Sequence, residues 1–585
     1  MTTRRTVSWF VALLLGAGFA QAQVLPGPDP RCVHVDQLSV KLAEGSGAEL
    51  RDGVLVSRTG VDLAAVQPLF AAGAARPLVT AVGWDELDRW HKHACAVLPP
   101  RDRPGHLGLW FRLTGNSAAA TVALYEQLRQ QPLVTDVYWQ PRHELCSARP
   151  AASPPVPIDI PPTTPLFASL QLSHDPTPLG HGVRLAAGVH GARGLDVKFV
   201  MMENSYLLDH EDVEQLVATN FVGPVPPLDM NFALHGLSGA ALVAAGRNAY
   251  GITGIADEVT ARFMSLALNG GVENALAIAT TITQPGDVVL VVIVFPVPYL
   301  GTTISVPFEF VQSAYDASVT FTALGRHLVV PAGNGNHSLD DPAFLNRFDR
   351  NFRDSGAIVV ASSQAGQMQR APYSNWGSRI DAHSWGDQVV SCGYGTLFFG
   401  NNDWRQSYTA AATGTSSSTP HIAGLVAMVQ GAARKQLGAP LGNTQLRSLL
   451  QTFGPLTPDV IGRRPDMVAI LQSIGVFDGL AVDRSDMQLL DTVTVTMDGP
   501  PGSLAALFAA FAPADVPIGF NRNVHLDPVS LVSVGAFFLP AGNATYSLQV
   551  PNSAALHDAD IYFQAVRLSG ASPLHLTNSC QVTVL

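Results

Sequence analysis

The middle of the chain, residues 170–475, alternates short continuous apolar runs with stretches in which apolar residues recur at helical spacing. Such runs are typical of strands buried on both faces, and their alternation with helices indicates a parallel α/β sheet. The predicted strands are Lys198–Met202, Asp287–Phe295, His327–Pro331 and Ala357–Ser362. One of them contains "VVLVVIVF", which is too short to span a membrane and therefore predicts a buried strand.

Two regions with other patterns flank this sheet. Residues 33–145 mix alternating segments with helical ones, which predicts a small α/β unit. Its predicted strands are Asp36–Leu42, Leu107–Leu113 and Leu133–Trp139, with helical spacing from Trp84 to Val97 and a helix that Asn116 or Ser117 caps and Pro132 ends. From about residue 480, "DTVTVTM", "LVSVGAFFL", "TYSLQV" and "DIYFQAV" are short segments separated by Pro, Gly and Asn, which predicts a β-sandwich.

Composition suggests the domain boundaries. Arg4 and Arg5 precede an apolar segment and then small residues, which indicates an export signal cut near Ala22–Gln23. A retained anchor is the alternative, but the apolar core is short for one. Residues 147–165 are dense in proline and predict an extended linker that a protease can reach. The predicted segments are a signal peptide (1–22), an N-terminal α/β unit (23–146), the linker (147–169), the parallel-sheet domain (170–477) and the β-sandwich (478–585).

Charge and cysteine content narrow the class of protein. The formal net charge is −11 and no long Lys/Arg run occurs, so a nucleic-acid partner is not expected. Charged residues make up only 14 % and hydrophobic ones 47 %, which favours large folded cores. The five cysteines lack metal-ligand spacing. Cys32 and Cys146 bracket the N-terminal unit and could form a disulfide, and we interpret the other three as inert.

Three stretches of the central domain carry residues suited to nucleophilic catalysis. "FVMMENSYLLDHEDV" is an apolar run that stops at Glu203, "HGLSGAALVAAGRNAYGITGIA" has a His-Gly, at His235, opening a helix of small residues, and "TGTSSSTPHIAGLVAMVQ" places Ser416 just before a helix with Pro420 in its first turn. A serine needs a base within hydrogen-bond reach, and the base needs an orienting acid. A helix N-terminus behind Ser416 would favour a developing oxyanion.

These motifs resemble those of the subtilase family of serine peptidases. "GTSSSTPHIAG" is similar to the family's serine signature, the His235 segment to its histidine motif without the usual second His, and "APYSNWGSRIDAHSWG" to its Tyr-Ser-Asn-x-Gly stretch. "LVVPAGNGN" is similar to the strand that ends in the oxyanion asparagine, which assigns that role to Asn334. The resemblance covers roughly residues 170–475, and it identifies residues 33–145 more weakly as a pro-domain.

The chain departs from the family pattern at the acid. Subtilases have Asp-Thr-Gly at this strand tip, whereas this chain has Glu203, Asn204 and Ser205. His210 follows Glu203 by seven positions and keeps the family's register, so the substitution resembles a feature of a subgroup. Glu keeps the carboxylate but is longer by about 1.5 Å, so the strand or turn must retreat for it to meet His235.

The resemblance implies a secreted serine endopeptidase made as a zymogen, with Ser416 as nucleophile, His235 as general base, Glu203 as orienting acid and Asn334 as oxyanion donor. The pro-domain would act as an intramolecular inhibitor, the linker would be cut, and protein or peptide substrates would be the partners. The segments 291–296 and 331–333 would wall the substrate pocket and favour apolar or aromatic side chains. The candidate substrate-binding residues are Val291, Val292, Pro331, Ala332 and Gly333.

No cofactor is expected. Calcium at Asp209, Glu211 and Asp212 is a weaker alternative to a solvated acidic turn, and "NHSLDDP" (Asn336–Pro342) is better interpreted as a polar loop than as a cation site. His210 is more simply a structural residue than a catalytic one. No role is assigned to the C-terminal domain.

Each assignment has an alternative. Ser416 could be only a helix cap, His235 a cap partner, Glu203 a structural acid and Asn334 a turn residue. A silent relative that binds peptides or a surface partner is the main rival function, supported by the departures after Glu203. An esterase or lipase would show Gly-x-Ser-x-Gly with the acid after the serine, which this chain does not. An acid-acting relative without a catalytic His is disfavoured by His235.

Overall fold

The computed structural model describes residues 29–142, 162–299, 302–517, 523–569 and 572–585. The expected signal peptide, most of the expected linker and Cys146 lie outside these residues. In the part of the chain that is described, an N-terminal, a central and a C-terminal unit follow one another, and none of its helices is both long and apolar enough to cross a membrane.

The N-terminal unit is an antiparallel sheet with helices, and its sheet has strand order β4-β5-β1-β6. One face packs against α1 and α3 through residues such as Phe111 and Trp139, and Trp110 and Tyr138 point from the other face toward the central unit. The elements are β1 (Val33–Leu42), β2 (Ala48–Arg51), β3 (Val54–Ser57), α1 (Gln67–Ala72), β4 (Arg76–Pro77), α2 (Trp84–Val97), β5 (Trp110–Thr114), α3 (Ala118–Leu128) and β6 (Val134–Pro141). The predicted strand at Leu107 begins later, because Leu107–Leu109 form a short helical turn in which the His106 ring accepts the Gly108 N–H.

The central unit is built on a six-stranded parallel sheet of order β14-β13-β12-β9-β7-β8, as the apolar runs predict. Both faces are covered: Phe199 and Met201 of β7 belong to the core with α5 and α8, and the alternate residues Val200 and Met202 to the core with α6 and α7. The elements are α4 (Val183–Ala186), β7 (Lys198–Glu203), α5 (Met230–Ala244), β8 (Thr260–Ser265), α6 (Val272–Ile282), β9 (Val288–Val291), β10 (Phe295–Tyr299), β11 (Thr302–Val306), α7 (Gln312–Ala323), β12 (His327–Pro331), β13 (Ile358–Ser363), β14 (Ala382–Trp385), β15 (Val389–Cys392), β16 (Phe398–Phe399), β17 (Ser407–Ala412), α8 (Thr415–Leu437), α9 (Asn443–Thr452) and α10 (Met467–Ser473).

The apolar run 288–295 does not form the single strand that was predicted. β9 ends at Val291, and Phe295 already belongs to β10, which pairs with β11 in an antiparallel hairpin outside the main sheet. Pro296 and Pro298 occupy alternate positions of β10, where their missing N–H groups are tolerated because the hairpin has only two strands. The residues on both sides of the β9–β10 junction are apolar, so hydrophobicity does not show where one strand ends and the next begins.

The C-terminal unit has two sheets around one apolar core, a three-stranded one of order β18-β20-β25 and a five-stranded one of order β19-β27-β26-β21-β24, and β22 pairs with β23 in a separate two-stranded sheet. The elements are β18 (Leu480–Val482), β19 (Asp486–Met487), β20 (Thr492–Asp498), β21 (Ser503–Ala510), β22 (Pro513–Val516), β23 (Val524–Leu526), β24 (Val532–Leu539), β25 (Asn543–Gln549), β26 (Asp560–Ser569) and β27 (Ser572–Val584).

Both flanking units contact the central one. On the N-terminal side, Trp110 Nε1 donates to Asp316 on α7 at 2.9 Å and Tyr138 donates to Ser313 at 2.6 Å. On the C-terminal side, β27 makes main-chain hydrogen bonds to residues 188–190, among them the Gln581 N–H to the Gly188 carbonyl at 2.7 Å. The N-terminal contact is therefore carried largely by side chains, and the C-terminal contact also by backbone pairing.

Candidate active site

A buried carboxylate lies at the carboxyl end of β7. Glu203 is the last residue of this strand, which lies between β8 and β9, and its side chain is fully buried. Its Oε1 accepts the Asn204 N–H at 2.5 Å, and its Oε2 lies 2.5 Å from His235 Nδ1. A carboxylate there holds the ring in the tautomer that leaves Nε2 free to act as a base. The longer side chain of a glutamate does reach the imidazole in this fold.

The helix that carries His235 begins earlier than the sequence analysis expected. α5 starts at Met230, where the N-cap Asp229 accepts the Asn231 N–H at 3.0 Å, so His235 lies inside the helix. The expectation that the His-Gly opens the helix was wrong, because the Asp229 cap was not recognised. Ser205 accepts the Asp229 N–H at 3.1 Å and donates to the Pro227 carbonyl at 3.0 Å. The residue two positions after Glu203 thus anchors the start of the helix that presents His235.

The glycine after His235 allows the helix to approach the strand end. A Cβ at Gly236 would lie 2.4 Å from the Ser205 carbonyl oxygen, closer than real Cβ contacts occur. Only glycine permits that approach without displacing the backbone. The His-Gly pair therefore combines a ring with the close packing that brings the ring to Glu203.

Ser416 lies in the first turn of α8 rather than just before it. The helix begins at Thr415 after Gly414, whose φ of 111° favours glycine. The Ser416 N–H therefore has no acceptor within the helix and can face a ligand, with the positive end of the helix dipole behind it. Pro420 lies one turn further in than expected, and it lacks the N–H that would otherwise bond to the Ser416 carbonyl.

The helices α5 and α8 bring the His235 and Ser416 sides together. A Cβ at Gly239 would lie 3.7 Å from Pro420 Cγ, so the two helices touch there. His235 and Ser416 each precede that contact by one helical turn and therefore lie on the facing sides. Among the residues that the structure describes, His235 Nε2 and Ser416 Oγ are both buried and neither has a hydrogen-bond partner. Buried polar atoms are normally paired, so two unpaired ones on facing helices indicate a functional arrangement.

Asn334 follows β12 and is tied to the residue before Ser416. Its Oδ1 accepts the Thr415 N–H at 2.9 Å and the Thr415 hydroxyl at 2.8 Å. These bonds occupy the amide oxygen and leave Nδ2 as the group that can donate to a ligand. Thr415 belongs to the quoted serine motif, but the sequence gives no sign that it bonds to Asn334.

The candidate substrate-binding residues come together but are covered. β9 and β12 are neighbouring parallel strands, so Val291 and Val292 lie at the same sheet edge as Pro331, Ala332 and Gly333. All five are buried. The β10–β11 hairpin lies against this edge, since a Cβ at Gly333 would be 2.3 Å from the Ser305 carbonyl oxygen. Whether these residues line a substrate pocket stays a prediction.

The acidic turn after Glu203 differs from expectation. Glu211 and Asp212 are buried, and only Asp209 is exposed, so the solvated-turn prediction was wrong for two of the three residues. Asp212 accepts the Ile252 N–H at 2.7 Å and Asn248 Nδ2 at 3.0 Å, and burial raises its pKa well above the usual range. Its hydrogen bonds give the buried carboxyl a structural role.

His210 has a structural environment. Its Nε2 lies 3.1 Å from the Ser407 carbonyl and its Nδ1 accepts the Asp212 N–H at 3.2 Å. Burial lowers the pKa of His210 to about 4, so the ring is neutral near pH 7.

In the loop 336–342, Asp341 accepts from the Tyr299 hydroxyl at 2.8 Å. Within the described ranges, no group of three or more His, Cys, Asp or Glu side chains is placed to hold a metal ion.

The fold and this geometry define a class: an α/β protein with an acid, a histidine and a serine that converge at the carboxyl edge of a parallel sheet. Residues 202–454 match the model of the Subtilase family. The chain therefore contains a subtilase-family domain, and the matched segment includes Glu203, His235, Asn334 and Ser416.

Individual relatives support the same family. A subtilisin-like protease of Coccidioides posadasii (strain C735) is 37 % identical over 124 residues, which is 21 % of this chain and 24 % of that protein. Thermitase of Thermoactinomyces vulgaris is 29 % identical over 36 % of this chain and 66 % of its own length. Subtilisin Savinase of Lederbergia lenta is 24 % identical over 46 % of this chain and 86 % of its own. The chain spans only about a quarter of the Coccidioides protein, so whole-protein properties do not follow from these matches.

Proposed function

We propose that this protein is a secreted serine endopeptidase, made as a zymogen, that cleaves peptide bonds through an acyl-enzyme intermediate. The observation that carries the proposal is the 2.5 Å contact of Glu203 with His235 Nδ1, together with the unpaired and buried His235 Nε2 and Ser416 Oγ. The subtilase-family match over residues 202–454 supports the same reaction class.

In the proposed mechanism, Ser416 Oγ attacks the scissile carbonyl while His235 Nε2 takes its proton. Glu203 stabilises the imidazolium that forms. Asn334 Nδ2 and the Ser416 N–H donate to the oxyanion. His235 then protonates the leaving amine, and a water molecule activated by the same ring hydrolyses the ester. Each step uses a side chain or backbone group of this chain, so the proposal includes no cofactor.

The N-terminal unit is proposed as the pro-domain. Its sheet buries Trp110 and Tyr138 against α7, and Asn274 on α6 accepts the Thr80 N–H at 2.7 Å. Such a surface can support folding of the central unit and inhibit it until the linker is cut. Secretion rests on the sequence of residues 1–22 alone.

The decisive experiment is labelling of the secreted protein with a fluorophosphonate, combined with turnover of casein. We expect Ser416 to be labelled in the wild type, and Ser416→Ala to lose labelling and about 10⁶ in kcat. Ser417→Ala is the matched control and should keep both. If processing is autocatalytic, the Ser416→Ala precursor stays uncut.

A silent peptide-binding relative is the second candidate, favoured by the buried state of the predicted pocket residues. An unlabelled Ser416 in processed, folded protein, with no turnover, would replace the enzyme proposal by this one. Normal processing of Ser416→Ala would mean that another protease makes the cut.

A further inference from the structure

The stretch Tyr373–Asn375 was given no role by the sequence analysis, yet it lies between the two elements that would form the oxyanion site. We call it the brace segment. One of its sides contacts the oxyanion loop, residues 332–337, which carries Asn334. Its other side contacts Gly414, two residues before Ser416. The inference below rests on the proposed function of Asn334 and Ser416.

On the loop side, Asn375 uses every polar group it has. Its N–H donates to the Gly333 carbonyl at 3.0 Å, and its Nδ2 donates to the Ala332 carbonyl at 2.8 Å and to the Ser305 carbonyl of β11 at 2.7 Å. Its Oδ1 accepts the His337 N–H at 3.1 Å. These bonds reach the oxyanion loop on both sides of Asn334 and fasten it to the hairpin.

A main-chain bond from the brace segment completes the hold on the loop. The Asn336 N–H donates to the Tyr373 carbonyl at 2.8 Å. Asn334 is therefore flanked by braced residues at Gly333 and at Asn336. The Asn375 side chain is fully buried, so water does not replace these bonds.

On the serine side, the Tyr373 hydroxyl accepts the Gly414 N–H at 3.1 Å and donates to the Gly386 carbonyl. The next residue, Thr415, donates twice to Asn334 Oδ1. The brace segment therefore holds the chain next to both partners of the Asn334–Thr415 bonds. Asn375 bonds to the loop that carries Asn334, and Tyr373 bonds to Gly414, the residue before Thr415.

We propose that Asn375 is a positioning residue for the oxyanion asparagine, and that Tyr373 supports the same site from the serine side. The Asn375 side chain bonds to backbone groups of residues 332–337 and of β11, and it acts by fixing the backbone that aims Asn334 Nδ2. Its loss removes the bonds to the Ser305 and Ala332 carbonyls and weakens the attachment of the loop to the hairpin. A displacement of about 1 Å in such a site costs on the order of 10² in rate.

The test is a double-mutant cycle on the full-length secreted protein, with kcat per fluorophosphonate-titrated site as readout. Asn334→Ala should lose about 10²–10³ in kcat. We expect Asn375→Ser to lose about 10- to 100-fold in kcat with KM within about threefold, and Tyr373→Phe to lose less. Since Asn375 acts through Asn334, Asn375→Ser combined with Asn334→Ala should be no slower than Asn334→Ala alone.

Asn578→Ser is the matched control. Asn578 is also fully buried and holds backbone, accepting the Asp478 N–H at 2.8 Å and donating to the Leu480 carbonyl at 2.9 Å, but it lies in the C-terminal unit. This variant should lose stability and keep kcat. Full kcat in both Asn375→Ser and Tyr373→Phe, or losses that multiply with Asn334→Ala, would overturn the inference.

Hydrogen exchange measures the positioning without catalysis. In Asn375→Ser, the peptide that covers residues 332–337 should exchange faster than in the wild type, and in Asn578→Ser it should not. If the wild type has no turnover, the proposed function fails and this measurement alone decides whether Asn375 holds the loop. Unchanged exchange in this peptide overturns the inference whatever the activity.

Discussion

Two buried carboxylate clusters lie at opposite edges of the central sheet. At the carboxyl edge, Glu203 meets His235. At the amino edge, Arg379 donates to Glu309 at 2.6 Å and to Asp381 at 2.8 Å, and all three side chains are buried. Burial and close ionic contact are common to both clusters, so neither property separates a reaction site from a structural one.

The two clusters differ in how many of their buried polar atoms lack a hydrogen-bond partner. Arg379 also bonds to the Ala357 carbonyl and the Ser355 hydroxyl, and Asp381 accepts from Arg350 and from the Val359 N–H as well. At the carboxyl edge, His235 Nε2 and Ser416 Oγ have no partner among the described residues. The polar side-chain atoms of Arg379, Glu309 and Asp381 are all paired, which suits a structural role, whereas two facing unpaired atoms can form bonds to a substrate.

The largest expected effect is at the Glu203–His235 cluster, the proposed catalytic one. Glu203→Gln should keep the fold and lose about 10⁴ in kcat, because an amide can hold the imidazole in the wrong tautomer. Glu203→Asp should also lose activity, since its carboxylate falls about 1.5 Å short of His235 Nδ1 in a strand placed for glutamate. Casein turnover per titrated site is the measurement.

Glu211→Gln is the control for this prediction. Glu211 is a buried glutamate that accepts from the Tyr408 hydroxyl at 2.8 Å, and its variant should turn over normally. Near-normal turnover of Glu203→Gln would mean that the orienting acid lies elsewhere, and the contrast between the two clusters would lose its meaning.

The next effect is on stability at the amino edge. Burial by itself raises the pKa of Asp381, but Arg447, Arg350 and Arg379 outweigh it and hold the pKa below the usual range. Arg379→Met removes the guanidinium that contacts both buried carboxylates, Glu309 and Asp381, and should lower the free energy of unfolding by about 3–5 kcal/mol. Turnover per titrated site should be unchanged in the folded fraction. Urea unfolding followed by fluorescence measures the change.

Lys435→Met is the matched control for Arg379→Met. Lys435 Nζ lies 2.7 Å from Asp196 Oδ2 and the pair is partly exposed. Its loss should lower the free energy of unfolding by less than about 1 kcal/mol. Equal losses in the two variants would show that complete pairing at the amino edge contributes nothing beyond a surface contact.

The smallest expected effect is on the pH dependence of stability, through the buried His210. His210 has both ring nitrogens hydrogen-bonded and burial lowers its pKa to about 4, from an ordinary value of 6.5. Between these values the unfolded state binds a proton that the folded state does not, so stability falls as pH drops from 6.5 to about 4 and this contribution then levels off. One such group contributes at most about 1.4 kcal/mol per pH unit. His210→Gln should reduce the slope of unfolding free energy against pH in that window and leave turnover at pH 8 intact. An unchanged slope would mean that His210 titrates normally in the folded protein.

Local patterns predicted several features of this molecule well. The strand His327–Pro331 agrees with the structure, and the apolar run before Glu203 is a buried strand that ends at that residue. Periodicity failed where the fold changes direction inside an apolar run, as at Val291, because burial in the sheet and burial under a hairpin select the same residues. Residue type failed at Glu211 and Asp212, where the acidic side chains indicated a solvated turn. Their hydrogen-bond partners lie far away in the chain, so the local sequence does not show that they are buried.

Residue pattern alone predicted the alternation of buried strands and helices in the central unit and the candidate acid, histidine and serine, because short-range periodicity and residue type are properties of neighbouring positions. The packing of the fold brings Glu203 to the imidazole, places Thr415 on the Asn334 amide oxygen, and lets Asn375 fasten the loop that carries Asn334. Those relations join residues from separate elements, and distances between them follow from how helices and strands pack, which no local pattern contains.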